Sequence, residues 1–195
     1  MKIKIFALGL FCLISCILIN SQEVGTTQFT ETKWGMTKEE VIKLEGKPVR
    51  EKEEQGILMI VFESEIDNKE CDVLYFFAEN KLVRTRYHFT HSHINKNSYM
   101  YDFYEIEKQL VEKYGETKDG KVWLNKLYTS DPDDWGSAVG YGQLRYYAEW
   151  ELPETHINLV LTGNNQHVAL FIEYKSTKYK DLEEKVRKKA KQKIW

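Results

Sequence analysis

The sequence predicts an α+β protein made of two tandem helix-plus-antiparallel-meander units, with helices packed on one face of the sheet and a basic helix at the C-terminus. Three observations carry this. Two short amphipathic stretches each stop at a glycine, Gly46 and Gly115. Runs of β-branched and aromatic residues follow each stretch, separated by Asp, Asn and Glu pairs typical of hairpins. The chain then closes on a lysine-rich segment with apolar residues every fourth position. At 195 residues, 42% hydrophobic and with only 3 prolines, the chain is long and apolar enough to bury a core and is not a low-complexity sequence.

Residues 1–21 have the pattern of a signal peptide. Lys2 and Lys4 make a short positive region, and Ile5 to Ile19 is an uninterrupted apolar or small run before Asn20, Ser21 and Gln22. That run is too short for a membrane span, which needs about 20 apolar residues. Two processing modes compete. Cleavage between Ser21 and Gln22 suits ordinary signal peptidase and releases a soluble protein, whereas Leu13-Ile14-Ser15-Cys16 resembles a bacterial lipobox, with Cys16 as the lipidated residue. Either mode removes Cys12, and the expected location is extracytoplasmic, periplasmic or secreted, with a membrane anchor if Cys16 is lipidated. Three cysteines in the whole chain rule out a disulfide-dense scaffold.

The first unit spans residues 30–95. Thr37-Lys38-Glu39-Glu40 is a capping box, in which the threonine hydroxyl accepts from the backbone three residues on and the glutamate reaches back. Val41, Ile42 and Leu44 supply the apolar side of a helix of about ten residues, which Gly46 and Pro48 end. Ile57 to Glu63, Cys71 to Ala78 and Leu82 to Phe89 are then strands, turning at Asp67-Asn68 and Glu79-Asn80.

The second unit spans residues 98–175. Phe103, Ile106, Leu110 and Tyr114 mark the apolar face of a helix from Tyr101 to Tyr114 that stops at Gly115. Val41 aligns with Leu110 at an offset of 69, and Leu74 to His88 aligns with Leu159 to Glu173 at an offset of 85, which places sixteen extra residues in the second copy. Those include the loop Ser130 to Gly136. Alternation sends Leu144, Tyr146, Ala148, Trp150 and Leu152 to one face of a strand, and Val83, Thr85, Tyr87 and Phe89 away from Arg84, Arg86 and His88.

Residues 176–195 complete the chain. From Lys175 onward there are 9 Lys or Arg against 3 Asp or Glu, a net of +6, while residues 22–174 carry 17 basic and 27 acidic residues, a net of -10. Leu182, Val186, Ala190 and Ile194 line one side of this basic amphipathic helix. It either packs on the acidic body or, with Trp195, lies on an anionic membrane surface. The overall charge of -2 and pI near 6.2 do not suggest a nucleic-acid binder.

Trp34-Gly35-Met36-Thr37-Lys38-Glu39-Glu40-Val41, continuing to Glu45-Gly46-Lys47-Pro48, resembles the helix-opening signature of the BamE-like outer-membrane small protein A group. The wider resemblance is to the fold of the β-lactamase inhibitor protein, which implies helix pairs packed on one face of an antiparallel sheet, a duplicated unit and protein binding. The match covers about sixteen residues, and the group's assembly lipoproteins have one unit rather than two. Function belongs to sites grafted on folds, so the resemblance implies architecture more strongly than activity.

Candidate chemistry is sparse. His88, His91 and His93 lie within six residues, and neutral imidazoles can bind zinc, but in a continued strand only His91 and His93 share a face. They are weak metal candidates, because the sequence shows no neighbouring residues that complete a ligand set. Asp131, Asp133 and Asp134 offer hard oxygens for calcium, yet with Pro132 they equally make an ordinary turn. Gly136, Gly140 and Gly142 lack the lysine-serine pair of a phosphate loop and suggest bulges or bends. No serine or cysteine has a recognisable nucleophile context. What remains is the polar sheet face bearing Arg84, Arg86, Tyr147 and Phe171, residue types favoured at protein-recognition surfaces.

The expected function is therefore a non-catalytic exported binding or envelope-associated module that recognises a protein partner and needs no cofactor. Two alternatives stand beside it: a hydrolase or metal-dependent enzyme using His88, His91 and His93, and a structural envelope lipoprotein.

Overall fold

A computed structural model describes residues 32–125 and 131–192. Residues 1–21, where a signal peptide is expected, Cys16 among them, and Ile194 and Trp195 lie outside the described residues. The elements run α1 (Lys38–Glu45), β1 (Arg50–Glu54), β2 (Ile57–Ile66), β3 (Lys69–Ala78), β4 (Lys81–Phe89), α2 (Ser98–Tyr114), β5 (Lys118–Trp123), a 3-10 turn (Pro132–Asp134), α3 (Trp135–Gly140), β6 (Leu144–Glu151), β7 (Thr155–Asn164), β8 (His167–Ser176) and α4 (Lys180–Gln192). All eight strands form one antiparallel sheet in the order β1-β2-β3-β4-β8-β7-β6-β5, so the two segments expected as units meet along β4 and β8.

Local chemistry explains most of the boundaries. Thr37 and Glu40 complete the capping box of α1, each bonding the other's backbone. Both α1 and α2 end on a glycine of positive φ, Gly46 and Gly115, whose amides bond back to Ile42 and Val111. Two-residue turns with positive φ at both positions join β2 to β3 (Asp67-Asn68), β3 to β4 (Glu79-Asn80) and β7 to β8 (Asn165-Gln166), as the right-handed strand twist favours. The motif around Trp34 is held by the sheet. Gly35 N–H donates to Leu82, Leu82 N–H donates to Met36, and the Trp34 indole donates to Thr155 Oγ1 at 2.9 Å.

The large core includes Val41 of α1, Phe103, Ile106 and Leu110 of α2, and Ala138 and Val139 of α3, packed with the inward residues of both halves of the sheet. The fourth helix departs from the one-face expectation. Val186 of α4 is buried with Ile57, Phe76, Ala78 and Val83 in a second, smaller cluster on the opposite face. Helices therefore lie on both faces of the sheet.

Four further expectations need correction. Val83 does not share a face with Thr85 and Tyr87, because a bulge opposite Phe76 and Phe77 leaves it unpaired and turns it toward α4. The offset of 85 fails in β3, since Leu74 packs with the α4 cluster whereas Leu159 is in the large core. Inward residues match at 86 there, Val73 with Leu159 and Tyr75 with Leu161, and return to 85 beyond the bulge, Tyr87 with Ile172. The glycine segment after Asp134 is the helix α3 rather than a run of bulges or bends. Finally, α2 starts at Ser98, before the expected Tyr101.

Candidate functional site

Two constellations stand out, on opposite faces of the sheet. The first grows from the alternation of β4 and β8, which puts Arg84, Arg86, His88, Phe171 and Glu173 on the α4 side. Register pairs Arg86 with Glu173 and His88 with Phe171. Arg84 donates to Glu173 Oε2 at 2.9 Å and to Glu183 Oε1 of α4 at 3.0 Å, while its guanidinium lies 3.7 Å from the centre of the Phe76 ring. Arg86 also donates to Glu173 Oε2 and lies 4.4 Å from the Phe171 ring centre. Lys175 reaches Glu173 Oε1 at 2.8 Å, and Arg187 bonds Glu183 at 2.9 Å.

Burial by itself would raise the Glu173 carboxyl, but Arg86, then Arg84 and Lys175, outweigh it and hold it at about 2. This carboxylate is a fixed anchor for three cations rather than a proton donor. Between the network and α4 opens a groove of about 800 Å³, whose rim includes His156, Lys180 and Arg187. Of the four expected recognition residues, Arg84, Arg86 and Phe171 come together and Tyr147 does not. Arg84 is almost covered, at 8% exposure, because α4 closes over it. Tyr147 lies over Gly120, its partner in β5, with the hydroxyl about 3.0 Å from where a Cβ would stand.

The second constellation is built by α2 and the loop that follows β4. His91 and His93 bring their Nε2 atoms to one oxygen, Asp102 Oδ2, at 2.7 and 2.5 Å. Lys69 of β3 lies 3.5 Å from Asp102 Oδ1 and 3.1 Å from Glu105. The Tyr99 ring packs on both imidazoles, and its hydroxyl accepts from the His93 backbone N–H at 3.2 Å. Burial raises the Asp102 carboxyl, while the hydrogen bonds and charges of the two histidines lower it further, to a net position below the usual range.

His88 takes no part. It stands on the other face between Asp72 and Phe171, where burial, then Arg86, lowers its pKa against the opposing pull of Asp72. Sequence reasoning missed Asp102, although a signal existed: the aspartate sits at helical spacing within the buried stripe Tyr99, Phe103, Ile106 and Leu110.

Searches against family models, curated proteins and solved structures find no match.

The other sequence candidates have local structural roles. Asp131 caps the 3-10 turn by accepting from the Asp133 amide at 3.0 Å. Gly136 lies where a Cβ would stand 2.4 Å from the Asn97 backbone, and Asn97 bonds the Gly136 amide at 2.7 Å and the Asp133 carbonyl at 2.8 Å. Cys71 is buried, and burial followed by the Asp72 charge pushes its thiol up to about 11, far from the thiolate that a nucleophile requires. No helix among the described residues is long and apolar enough to cross a membrane.

Proposed function

We propose that this protein is an exported, non-catalytic binding module that recognises a protein partner through the groove beside α4 and the adjoining sheet face. The observation that supports it best is the arginine-aromatic network. Arg86 is clamped by Glu173 and laid on Phe171 while remaining part-exposed, which fixes a planar donor set in advance of binding. The groove rim adds the charges of Lys180 and of Arg187, which is paired with Glu183. Such a site suits a polypeptide segment that offers backbone or carboxylate oxygens and an apolar side chain for the Phe171 ring.

Export rests on the pattern of residues 1–21, and envelope association on Cys16 or the basic helix. In α4 the apolar stripe is used by the sheet through Val186, so attachment to a membrane by that stripe would require α4 to leave Phe76 and Val83. The BamE-like and β-lactamase-inhibitor-like resemblance and the duplication belong to the same proposal. Duplication is supported by the order helix then four strands occurring twice and by the equivalent glycine caps. Between β5 and β6 the second unit carries the 3-10 turn and α3, where the first has only Gln55 and Gly56 between β1 and β2.

The test is affinity capture of the mature protein against an extract of its own cell envelope, read by mass spectrometry, with Phe171→Ala and Arg187→Glu as comparators. A single stoichiometric protein captured by wild type and lost in both variants is expected. Capture of none, or equal capture by the variants, overturns the reading. Fractionation of wild type and Cys16→Ala checks the anchor: unchanged membrane recovery removes lipidation.

A further inference from the structure

We infer that His91, His93 and Asp102 form a binding site for one divalent transition-metal ion of the zinc type, independent of the groove beside α4. The site is assembled from separate parts of the chain. The loop after β4 supplies two imidazoles, and the first turns of α2 supply the carboxylate. One ligand atom from each residue lies within 4.8 Å of the others.

The three ligand atoms lie a small adjustment from a metal-binding geometry. Zinc binds imidazole nitrogen and carboxylate oxygen at about 2.0–2.2 Å, so tetrahedral ligand atoms stand roughly 3.3 Å apart. The imidazole nitrogens are 2.7 and 2.5 Å from Asp102 Oδ2, at hydrogen-bonding distance. Opening each by under about 1 Å, within the range of side-chain torsions, admits the ion. Two imidazoles and one carboxylate suit zinc and similar borderline ions better than calcium or magnesium, which prefer all-oxygen shells.

The surroundings hold the three ligands in place. Lys69 engages the distal oxygen, Oδ1, which presents Oδ2 as a single-oxygen ligand. Tyr99 packs on both rings and ties the His93 backbone, so the imidazoles converge before any ion arrives. His91 and His93 side chains are 21% and 28% exposed, which gives an ion access and leaves a fourth position for water or a donor from outside the site.

The test is zinc and cobalt titration of the full mature chain, with the paired His91→Asn/His93→Asn variant and Asp102→Asn as comparators. Wild type should bind one zinc ion per chain, release protons as it does so and show the visible bands of tetrahedral cobalt. The paired variant should abolish binding, and Asp102→Asn should weaken it by at least about tenfold. Because Asp102 is largely buried, the cobalt spectrum of wild type carries the test if that variant fails to fold. Absence of tetrahedral cobalt bands, or zinc binding retained in the paired variant through His88, His156 or His167, overturns the proposal.

Discussion

Glu173 is 5% exposed on β8, and its two oxygens face Arg84, Arg86 and Lys175. The energetic consequence follows from its titration. Its folded pKa, about 2, lies below the unfolded value near 4.5, so the folded state prefers the ionised form. The resulting contribution, about 3 kcal/mol, is complete above the unfolded pKa and is lost as pH falls through 4.5 toward 2. Glu173→Gln should cost about 3 kcal/mol at neutral pH, because it leaves buried Arg84 with Glu183 alone and takes the carboxylate from part-exposed Arg86. Urea titrations should show the difference from wild type shrinking as pH falls over that window. A difference independent of pH would show that the loss comes from packing alone. Asp102 has a different setting, since its main partners are two imidazoles that can exchange a hydrogen bond for a metal bond.

Helix α4 shows how an element with a weak apolar stripe is held. Its buried anchor is Val186, assisted by partly buried Leu182, and its charged side reaches the sheet through the Glu183–Arg84 bond. Gly56, in the turn before β2, lets the helix come this close. A Cβ there would stand 2.9 Å from Val186 Cγ1, and the residue has φ +75°, which disfavours any side chain. Gly56→Ala should therefore destabilise the protein by about 1–3 kcal/mol. In hydrogen exchange the loss of protection should concentrate in α4 and the β1–β2 turn. Uniform loss across the molecule would mean that α4 is integral to global folding. The contrast with α2 is physical: α2 buries Phe103, Ile106 and Leu110, a much larger apolar area, so its charge pairs with Lys69 are an addition to packing rather than the main attachment.

At the scale of the molecule, the two halves share one sheet and one large core, joined where β4 pairs with β8. Tyr87 and Tyr174 meet edge to face across this seam with ring centres 5.9 Å apart, and Ile172 pairs with Tyr87 in register. Ile172→Ala should cost about 2–5 kcal/mol while leaving a single unfolding transition, because core residues from both halves contact the same cluster. Tryptophan fluorescence, weighted to residues of the second half such as Trp150, and far-ultraviolet dichroism should give coincident midpoints. Separate midpoints would establish the halves as independent folding units.

Much of the architecture was legible because it depends on neighbours in the chain. The capping box at Thr37, the glycine stops at Gly46 and Gly115 and the Asp67-Asn68 turn each encode their geometry within a few residues. Strand β1 was not legible, because Arg50–Glu54 is wholly exposed and carries no apolar alternation. The candidate sites divide in the same way. Alternation places Arg86 and Phe171 on a common side, and His91 and His93 are paired by their spacing. Only tertiary structure buries Arg84 beneath α4, carries Tyr147 toward β5 and delivers Asp102 to two histidines from another element. Local rules fix which way each backbone segment turns, but convergence of distant side chains depends on the strand order and on the packing of helices on both faces, neither of which leaves a local signature.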